Sequence, residues 1–261
     1  MQARHLVAIC LAFLLLTAAL LPHPGATPAS AAEAVLLDPQ LGAPGMASTS
    51  APAAPAGGGG AAAPPQRSII WLHGLGDSGR GWSWLPSALK LPGCTWSFPD
   101  APMRHVTLAG AAMRAWFDLD ALPVTSGTPA SAADFAVGLA AVHALIDKEV
   151  ARGVPAGRIV VGGFSQGGAL ALYAGLRYPQ PLGGIVSFSG WLPLLDPAAP
   201  AIAASRVLLV HGTRDGKVNF DLAESARDAL RPRVKSLRFE SFNGDHEAPP
   251  LEWLEEFLRE V

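Results

Sequence analysis

Two hydrophobic patterns alternate along the chain from Arg67 onward. Short runs of apolar residues predict strands, and longer segments with apolar residues at every third or fourth position predict helices. Strands are predicted at 68–72, 95–98, 158–162, 184–187, 206–210 and 236–242, and helices at 131–152, 167–178, 220–230 and 251–261. Strands that alternate with helices are typical of a mostly parallel sheet with helices on both faces. We therefore predict a single α/β domain over residues 67–261.

The pattern is different in the N-terminal region. Residues 6–21 form an almost unbroken apolar run behind Arg4, and small residues follow at 26–32. This arrangement predicts a secretory signal peptide over residues 1–32 that is cleaved near residues 29–32. The run is shorter than the roughly 20 residues that cross a bilayer, so we expect no stable membrane span after cleavage. An uncleaved signal anchor is the alternative.

Residues 33–66 are dominated by Ala, Gly and Pro. Such a segment buries too little apolar surface to offset the entropy lost on ordering, so we predict a flexible linker. A plastid-targeting peptide is another alternative for the N-terminal region. Transit peptides are rich in Arg, however, and no Lys or Arg lies between Arg4 and Arg67. The sequence therefore favours a secreted or lumenal protein.

Composition and charge narrow the classes of function. Of the 261 residues, 50% are hydrophobic and 15% are charged, which is enough apolar material for a well-filled core. The formal net charge is -2, and Lys and Arg are scattered rather than clustered. We therefore expect no nucleic-acid partner. The sequence makes no prediction about the oligomeric state.

The most specific chemical motif follows the predicted strand at 158–162. There Gly163-Phe164-Ser165-Gln166-Gly167 leads into the next predicted helix. A serine in G-x-S-x-G between a strand and a helix is typical of a nucleophile elbow, a sharp turn in which flanking glycines leave room for the chain. The unpaired main-chain N–H groups at the start of the helix also point toward the serine. The chain contains 28 Gly, so the motif could also arise by chance. The alternative is a tight turn with a solvent-facing serine.

A serine nucleophile needs a histidine base and an acid that orients this base, and after an elbow they follow in the order Ser, acid, His. Asp215 lies in the loop after the predicted strand at 206–210, and His246 lies in the loop after the strand at 236–242. Of the seven histidines, only His246 follows Asp215. Ser165, Asp215 and His246 are therefore the candidate triad. A helix-capping or solvated Asp215 and a surface-loop His246 are the alternatives.

Acyl transfer also needs two backbone N–H groups directed at the developing oxyanion. We expect one from Gln166, directly after the serine, and one from Leu75 in the glycine-containing loop after the predicted strand at 68–72. His73, in the same loop, is expected to be structural because the base follows the acid in chain order. A phosphate-binding loop is not expected, because the motif G-x-x-x-x-G-K is absent.

Five runs carry a resemblance to a known family: Trp71-Leu72-His73-Gly74-Leu75-Gly76-Asp77, residues 113–118, residues 162–169, residues 191–194, and His211-Gly212 with Asp215. Over residues 67–261 the chain resembles the acyl-protein thioesterase, lysophospholipase and carboxylesterase family of α/β-hydrolases. The resemblance implies the same triad and the same two oxyanion amides. It also implies an acyl groove that is lined in part by Met113, Trp116, Trp191 and Leu192.

Two loops differ from the usual pattern of that family. Where family members usually have D-P-x-V-P, this chain has Asp215-Gly216-Lys217-Val218-Asn219. The family's G-x-x-H is one residue shorter here, as Gly244-Asp245-His246. Both differences fall on the loops that would position the triad.

Together the residues and the resemblance predict a serine hydrolase that cleaves acyl esters or thioesters through an acyl-enzyme, with no metal and no cofactor. The predicted signal peptide favours a lumenal carboxylesterase or lysophospholipase over a thioesterase that acts on cytosolic acyl proteins. The alternative class is a non-catalytic protein that binds ligands in an α/β-hydrolase pocket.

Overall fold

The computed structural model describes residues 67–194 and 202–261. The predicted signal peptide at 1–32 and the predicted linker at 33–66 lie outside the described residues, so both stay predictions. The described residues correspond to the predicted α/β domain.

Eight strands form within the described residues. They are β1 (Arg67–Leu72), β2 (Cys94–Ser97), β3 (Met103–Val106), β4 (Ala111–Arg114), β5 (Ile159–Phe164), β6 (Gly184–Phe188), β7 (Ile202–Gly212) and β8 (Val234–Phe242). Six of these strands form one parallel sheet in the order β2-β1-β5-β6-β7-β8, whereas β3 and β4 pair as a separate antiparallel hairpin. The predicted mostly parallel sheet is confirmed.

Six α-helices lie in the same part of the chain. They are α1 (Gly79–Trp82), α2 (Leu85–Leu89), α3 (Ala132–Ala151), α4 (Gln166–Gly175), α5 (Phe220–Leu230) and α6 (Glu252–Arg259). Ser131 caps α3 by accepting a hydrogen bond from the N–H of Asp134 at 3.2 Å. The buried face of α3 includes Phe135, Val142 and Ile146, which follow the spacing that predicted this helix.

The sheet has an apolar core on both of its faces. In β1, Ile70 and Leu72 pack into the cluster that contains residues of α3 and α4. Ile69 and Trp71, which point the opposite way, pack into the cluster that contains residues of α6. Burial of both faces explains why the strands are continuous apolar runs rather than alternating ones.

The carboxyl ends of the central strands meet at one edge of the sheet. The pairs near these ends are Leu72 with Gly163, Phe164 with Phe188, Phe188 with Val210, and Gly212 with Phe242. The three candidate triad residues and the two predicted oxyanion donors each follow one of these strands by a few positions. Ligand sites in open parallel sheets lie at this edge.

The prediction missed the hairpin and the two short helices between β1 and α3. The hairpin strands have four residues each, and Met103 is 62% exposed, so no apolar run marks them. The bounds also differ at β7, which begins at Ile202, and at α4, which ends at Gly175. None of the helices in the described part of the chain has the length and apolar composition needed to cross a membrane.

Candidate active site

Ser165 lies in the turn between β5 and α4. Its φ and ψ of 55° and -120° belong to a backbone region that residues other than glycine rarely adopt. The Ser165 N–H donates to the carbonyl of Phe188 at 2.8 Å, and the Ser165 carbonyl accepts from the N–H of Ala169 at 3.0 Å. The sheet on one side and the helix on the other therefore hold the strained turn.

The two motif glycines leave no room for a side chain. A Cβ on Gly163 would lie 2.5 Å from the backbone of Gly167, and a Cβ on Gly167 would lie 2.3 Å from the carbonyl oxygen of Leu72. Both distances are far below van der Waals contact, and the opposing atoms are backbone. The crowding that the motif predicts is therefore present in the folded chain.

Asp215 lies in the acid loop, residues 212–219, and each of its two carboxylate oxygens has two polar partners. Oδ1 accepts hydrogen bonds from the N–H groups of Lys217 at 2.9 Å and Val218 at 2.8 Å. Oδ2 lies 2.8 Å from His246 Nδ1 and 3.2 Å from His211 Nε2. The loop backbone thus fixes one oxygen, while the other oxygen faces two histidines.

The charge state of Asp215 follows from these partners. Burial by itself raises the pKa of the carboxyl group, but hydrogen bonds from His211, His246 and the Val218 amide outweigh burial and hold the pKa well below its usual range. The side chain of Asp215 is 0% exposed. A buried, ionised carboxylate is therefore available to orient and stabilise a histidine.

His246 lies in the base loop, residues 243–247, with its side chain only 6% exposed. The ring packs against Phe164, the residue before the serine, with 4.7 Å between ring centroids. Because Nδ1 faces Asp215, Nε2 is the atom through which His246 would exchange a proton with a nucleophile. Ser165 and His246 line the same pocket.

That pocket is a small cleft that opens to solvent. Its lining residues are mostly apolar: Leu75, Leu119, Leu122, Val124, Ser165, Gln166, Trp191, Lys217, Val218 and His246. Within the described residues, no group of three or more His, Cys, Asp and Glu side chains is placed to hold a metal ion. Apolar side chains therefore surround Ser165 and His246 in this cleft.

One wall of the pocket is joined to the acid loop. The Val124 N–H donates to the Lys217 carbonyl at 2.7 Å, and the Asn219 N–H donates to the Val124 carbonyl at 3.1 Å. These bonds form an isolated parallel bridge between Val124 and Val218. The segment around Val124 and the loop of the candidate acid are therefore positioned together.

Gln166 begins α4, where the first N–H groups have no partner inside the helix. Its side chain is used elsewhere: Oε1 accepts from the N–H of Trp116, and Nε2 donates to the carbonyl of Phe117, both at 2.8 Å. Only the main-chain amide of Gln166 is thus suited to an oxyanion. Leu75, the other predicted donor, is 4% exposed and lines the pocket.

His73 supports the loop that carries Leu75. Its Nε2 accepts from the Ala101 N–H at 2.9 Å, so Nδ1 carries the proton and donates to the Gly74 carbonyl at 2.7 Å. Burial lowers the pKa of His73, which favours this neutral form. The Trp116 indole N–H donates to the His73 carbonyl at 2.8 Å. These contacts fit the structural role expected for His73.

The structure brings most of the predicted site residues together. Ser165, Gln166, His246, Leu75 and Trp191 line the pocket, and Asp215 lies behind His246.

Three predicted groove residues do not line this pocket. Trp116 is buried and makes the hydrogen bonds described above, and Leu192 packs beside a separate apolar cluster at α4 and α5. Met113 lies on β4, and a Cβ on Gly76 would be 3.8 Å from its sulfur. Their contacts with substrate stay predictions.

Sequence reasoning missed two parts of the site. Leu119, Leu122 and Val124 lie in a segment without helical or strand periodicity, so nothing local marked them as pocket residues. His211 precedes the acid in chain order and is therefore not the predicted base, yet its Nε2 lies 3.2 Å from Asp215 Oδ2. The sequence signal for this contact was that His211 lies at the end of β7 and Asp215 follows it four residues later.

The comparisons with known proteins agree with this geometry. A sequence model of the family described as Phospholipase/Carboxylesterase matches residues 60–260. The chain belongs to this family. The predicted family, the α/β-hydrolase fold and the hydrolase class are therefore confirmed.

Two relatives illustrate the range of the family. Carboxylesterase SOBER1 of Arabidopsis thaliana is 36% identical over 184 residues, which cover 67% of this chain and 81% of the relative. Acyl-protein thioesterase 1 of Schizosaccharomyces pombe is 41% identical over 154 residues, which cover 57% of this chain and 68% of the relative.

Solved structures show the same fold. The crystal structure of Arabidopsis thaliana SOBER1 has a TM-score of 0.69 at 33% identity, with 74% of this chain and 97% of that chain covered. The crystal structure of Zea mays acyl-protein thioesterase 2 has a TM-score of 0.64 at 32% identity, with 76% and 96% covered.

Proposed function

We propose that Ser165, His246 and Asp215 form the catalytic triad of this hydrolase of acyl esters or thioesters. The observation that carries the proposal is the 2.8 Å contact between His246 Nδ1 and a fully buried Asp215 carboxylate, in a pocket that His246 shares with a strained serine. Relatives named carboxylesterase and acyl-protein thioesterase support ester and thioester substrates alike.

The reaction proceeds in two balanced halves. Ser165 Oγ attacks the acyl carbonyl while His246 takes the hydroxyl proton, and the backbone amides of Leu75 and Gln166 stabilise the oxyanion. The bond to the alcohol or thiol breaks, and His246 returns the proton to this leaving group. Water, deprotonated by His246, then attacks the acyl-enzyme. The bond between the acyl carbon and Ser165 Oγ breaks, His246 returns the proton to Ser165 Oγ, and the carboxylic acid is released.

The non-catalytic alternative rested on the two altered loops. In the folded chain these loops nevertheless bring Asp215 and His246 into hydrogen-bond contact. A protein that only binds ligands has no need for this contact. The geometry therefore supports turnover rather than binding alone.

We propose an apolar acyl group as the part of the substrate that enters the pocket. The side chains of Leu75, Leu119, Leu122, Val124 and Trp191 support this choice, because they form an apolar lining around the serine and the histidine. With the predicted signal peptide, a lumenal carboxylesterase or lysophospholipase ranks above a protein thioesterase.

The compartment is tested with two fluorescent fusions, one of the intact chain and one that lacks residues 1–32. The intact chain is expected in the secretory pathway and the shortened chain in the cytosol. Identical cytosolic distributions would contradict the predicted signal peptide and, with it, the preference for lumenal substrates.

The triad is tested by kinetics on p-nitrophenyl esters and a matched acyl thioester. Ser165→Ala is expected to lower kcat by a factor of at least about 10⁴, because an alanine cannot form the acyl-enzyme. The exposed Ser87 offers a matched control, and Ser87→Ala is expected to retain wild-type kcat. Retained turnover in Ser165→Ala would refute the assignment.

A further inference from the structure

The contact between acid and base in this chain depends on how two loops are held together. The acid loop and the base loop run side by side, with the Thr213 N–H donating to the Phe242 carbonyl and the Arg214 N–H donating to the Gly244 carbonyl, both at 2.9 Å. These bonds lie at the starts of the loops. They leave open what fixes the positions nearest to Asp215 and His246.

Asp245 makes the contacts at those positions. Its Oδ1 accepts a hydrogen bond from the Gly216 N–H at 2.9 Å and a second from the His246 N–H at 2.7 Å. Gly216 directly follows the proposed acid, and His246 is the proposed base. One carboxylate oxygen therefore joins the backbones of the two loops beside the triad, and we call this contact the junction at Asp245.

The identity of residue 216 makes this junction possible. The family that the sequence resembles usually has proline after the acid, and proline has no N–H to donate. Crowding does not explain the glycine, because the nearest atom to a Cβ at Gly216 would be Asp245 Oδ1 at an ordinary 3.7 Å. The retained N–H, which donates to Asp245, gives the substitution a physical reason.

We propose that Asp245 is a positioning residue that holds Asp215 and His246 in register by accepting both N–H groups. It touches neither substrate nor the reacting atoms. The inference rests on the proposed triad and explains how the triad keeps its geometry without the proline-rich acid loop and with a base loop one residue shorter.

Glu247 provides a comparison within the same loop. It flanks His246 on the other side and carries the same charge, but its Oε1 reaches only the Asp245 N–H, at a longer 3.3 Å. A carboxylate close to His246 is thus not sufficient to join the loops. Glu247→Ala is the matched control for loss of a neighbouring negative charge.

The test measures kcat, KM and the melting temperature of wild type, Asp245→Ala, Asp245→Asn and Glu247→Ala with p-nitrophenyl acetate. Asp245→Ala is expected to lower kcat at least tenfold with KM within about twofold, because a displacement of about 1 Å in a catalytic group can cost roughly a hundredfold in rate. Asp245→Asn keeps an oxygen acceptor and is expected within about threefold of wild type. Glu247→Ala is expected within about twofold.

Two results would overturn the proposal. If Asp245→Asn loses as much activity as Asp245→Ala, Asp245 acts through its charge and not as a hydrogen-bond acceptor. If Asp245→Ala keeps the wild-type kcat, the junction does not position the triad. A lower melting temperature with unchanged kcat leads to the same conclusion, because it indicates a role in stability alone.

A double-mutant cycle tests the donor. Gly216→Pro removes the N–H that Asp245 accepts, and we expect it to lower kcat in the wild-type background but to add at most about twofold to the loss caused by Asp245→Ala. Independent, multiplicative losses would contradict the proposed bond.

The outcomes separate this inference from the proposed triad. If Ser165→Ala turns over like wild type, the triad assignment fails. If turnover depends on Ser165 while Asp245→Ala matches wild type, only the role of Asp245 fails.

Discussion

Gly167→Ala tests the steric basis of the elbow. The new Cβ would lie 2.3 Å from the Leu72 carbonyl oxygen and 2.5 Å from the His73 carbonyl oxygen. To reach the 3.0–3.4 Å range of tight but tolerated contacts, the start of α4 and the end of β1 must separate by about 0.7–1.1 Å. Because the opposing atoms are backbone, no side-chain rotation relieves the clash.

Two opposing effects decide the stability of this variant. Alanine is the better helix former by up to about 1 kcal/mol, whereas overpacking costs about 1–3 kcal/mol. Because both contacts are with backbone atoms, the overpacking cost of Gly167→Ala should lie at the upper end of this range. After the gain in helix propensity is subtracted, we expect the free energy of unfolding to fall by about 2 kcal/mol. For a domain of this size, that loss lowers the melting temperature by about 4–8 °C.

The same displacement affects catalysis. Separation of the elbow from the loop after β1 moves Ser165 away from the Leu75 amide, and a shift of this size is expected to lower kcat/KM roughly a hundredfold. The assays are thermal unfolding by circular dichroism and hydrolysis of p-nitrophenyl acetate.

Gly157→Ala is the control, because a Cβ there meets no atom within 4 Å. It is expected to leave both kcat/KM and stability close to wild type. The steric account would be refuted if Gly167→Ala kept wild-type activity with a melting temperature within about 1 °C of wild type, or if both glycine variants lost activity equally.

Three further outcomes are expected. Ser131→Ala removes the cap on the Asp134 N–H, so the free energy of unfolding falls by about 0.5–2 kcal/mol in urea titrations with kcat unchanged. Gln166→Ala keeps the main-chain amide of residue 166 but leaves the buried main-chain N–H of Trp116 without its acceptor. We therefore expect the free energy of unfolding to fall by about 1–3 kcal/mol. An unchanged denaturation midpoint would contradict this. Because the pKa of Asp215 is lower in the folded than in the unfolded state, its ionised carboxylate stabilises the fold fully above the unfolded pKa of about 4, and this stabilisation is lost progressively as the pH falls from there toward the folded-state pKa. The difference in melting temperature between wild type and Asp215→Asn should therefore become smaller from pH 7 to pH 3, and a constant difference would contradict the ionised carboxylate.

Those features that follow from local sequence were predictable. The strand before Ser165 and the helix after it are marked by their periodicity, and the motif glycines report a steric need that exists at any packed strand-to-helix turn. Asp215 and His246 were predictable from chain order, because parallel strands bring their following loops to one edge.

Other features depend on contacts between distant segments. The bridge between Val124 and Val218 joins a pocket wall to the acid loop, and neither sequence segment carries a sign of the other. Trp116 was predicted from the resemblance to line a groove, and its contact with substrate stays a prediction. Its two N–H groups bond to Gln166 and His73. The indole ring is thus bonded to the loop that carries Leu75, which only the folded chain reveals.

The junction at Asp245 shows the same limit. The two loop differences were visible in the sequence as separate departures from a family pattern. In the folded chain a single oxygen, Asp245 Oδ1, accepts both the Gly216 and His246 N–H groups, and this depends on the three-dimensional approach of the loops.

The central claim is that Ser165 is the nucleophile. The most direct measurement is labelling of the folded protein with a fluorophosphonate, followed by mass spectrometry of the modified peptide. The account predicts one adduct, on Ser165, with labelling abolished by Ser165→Ala and strongly slowed by His246→Ala. No adduct on the folded wild-type protein, or an adduct on another serine that persists in Ser165→Ala, would contradict it.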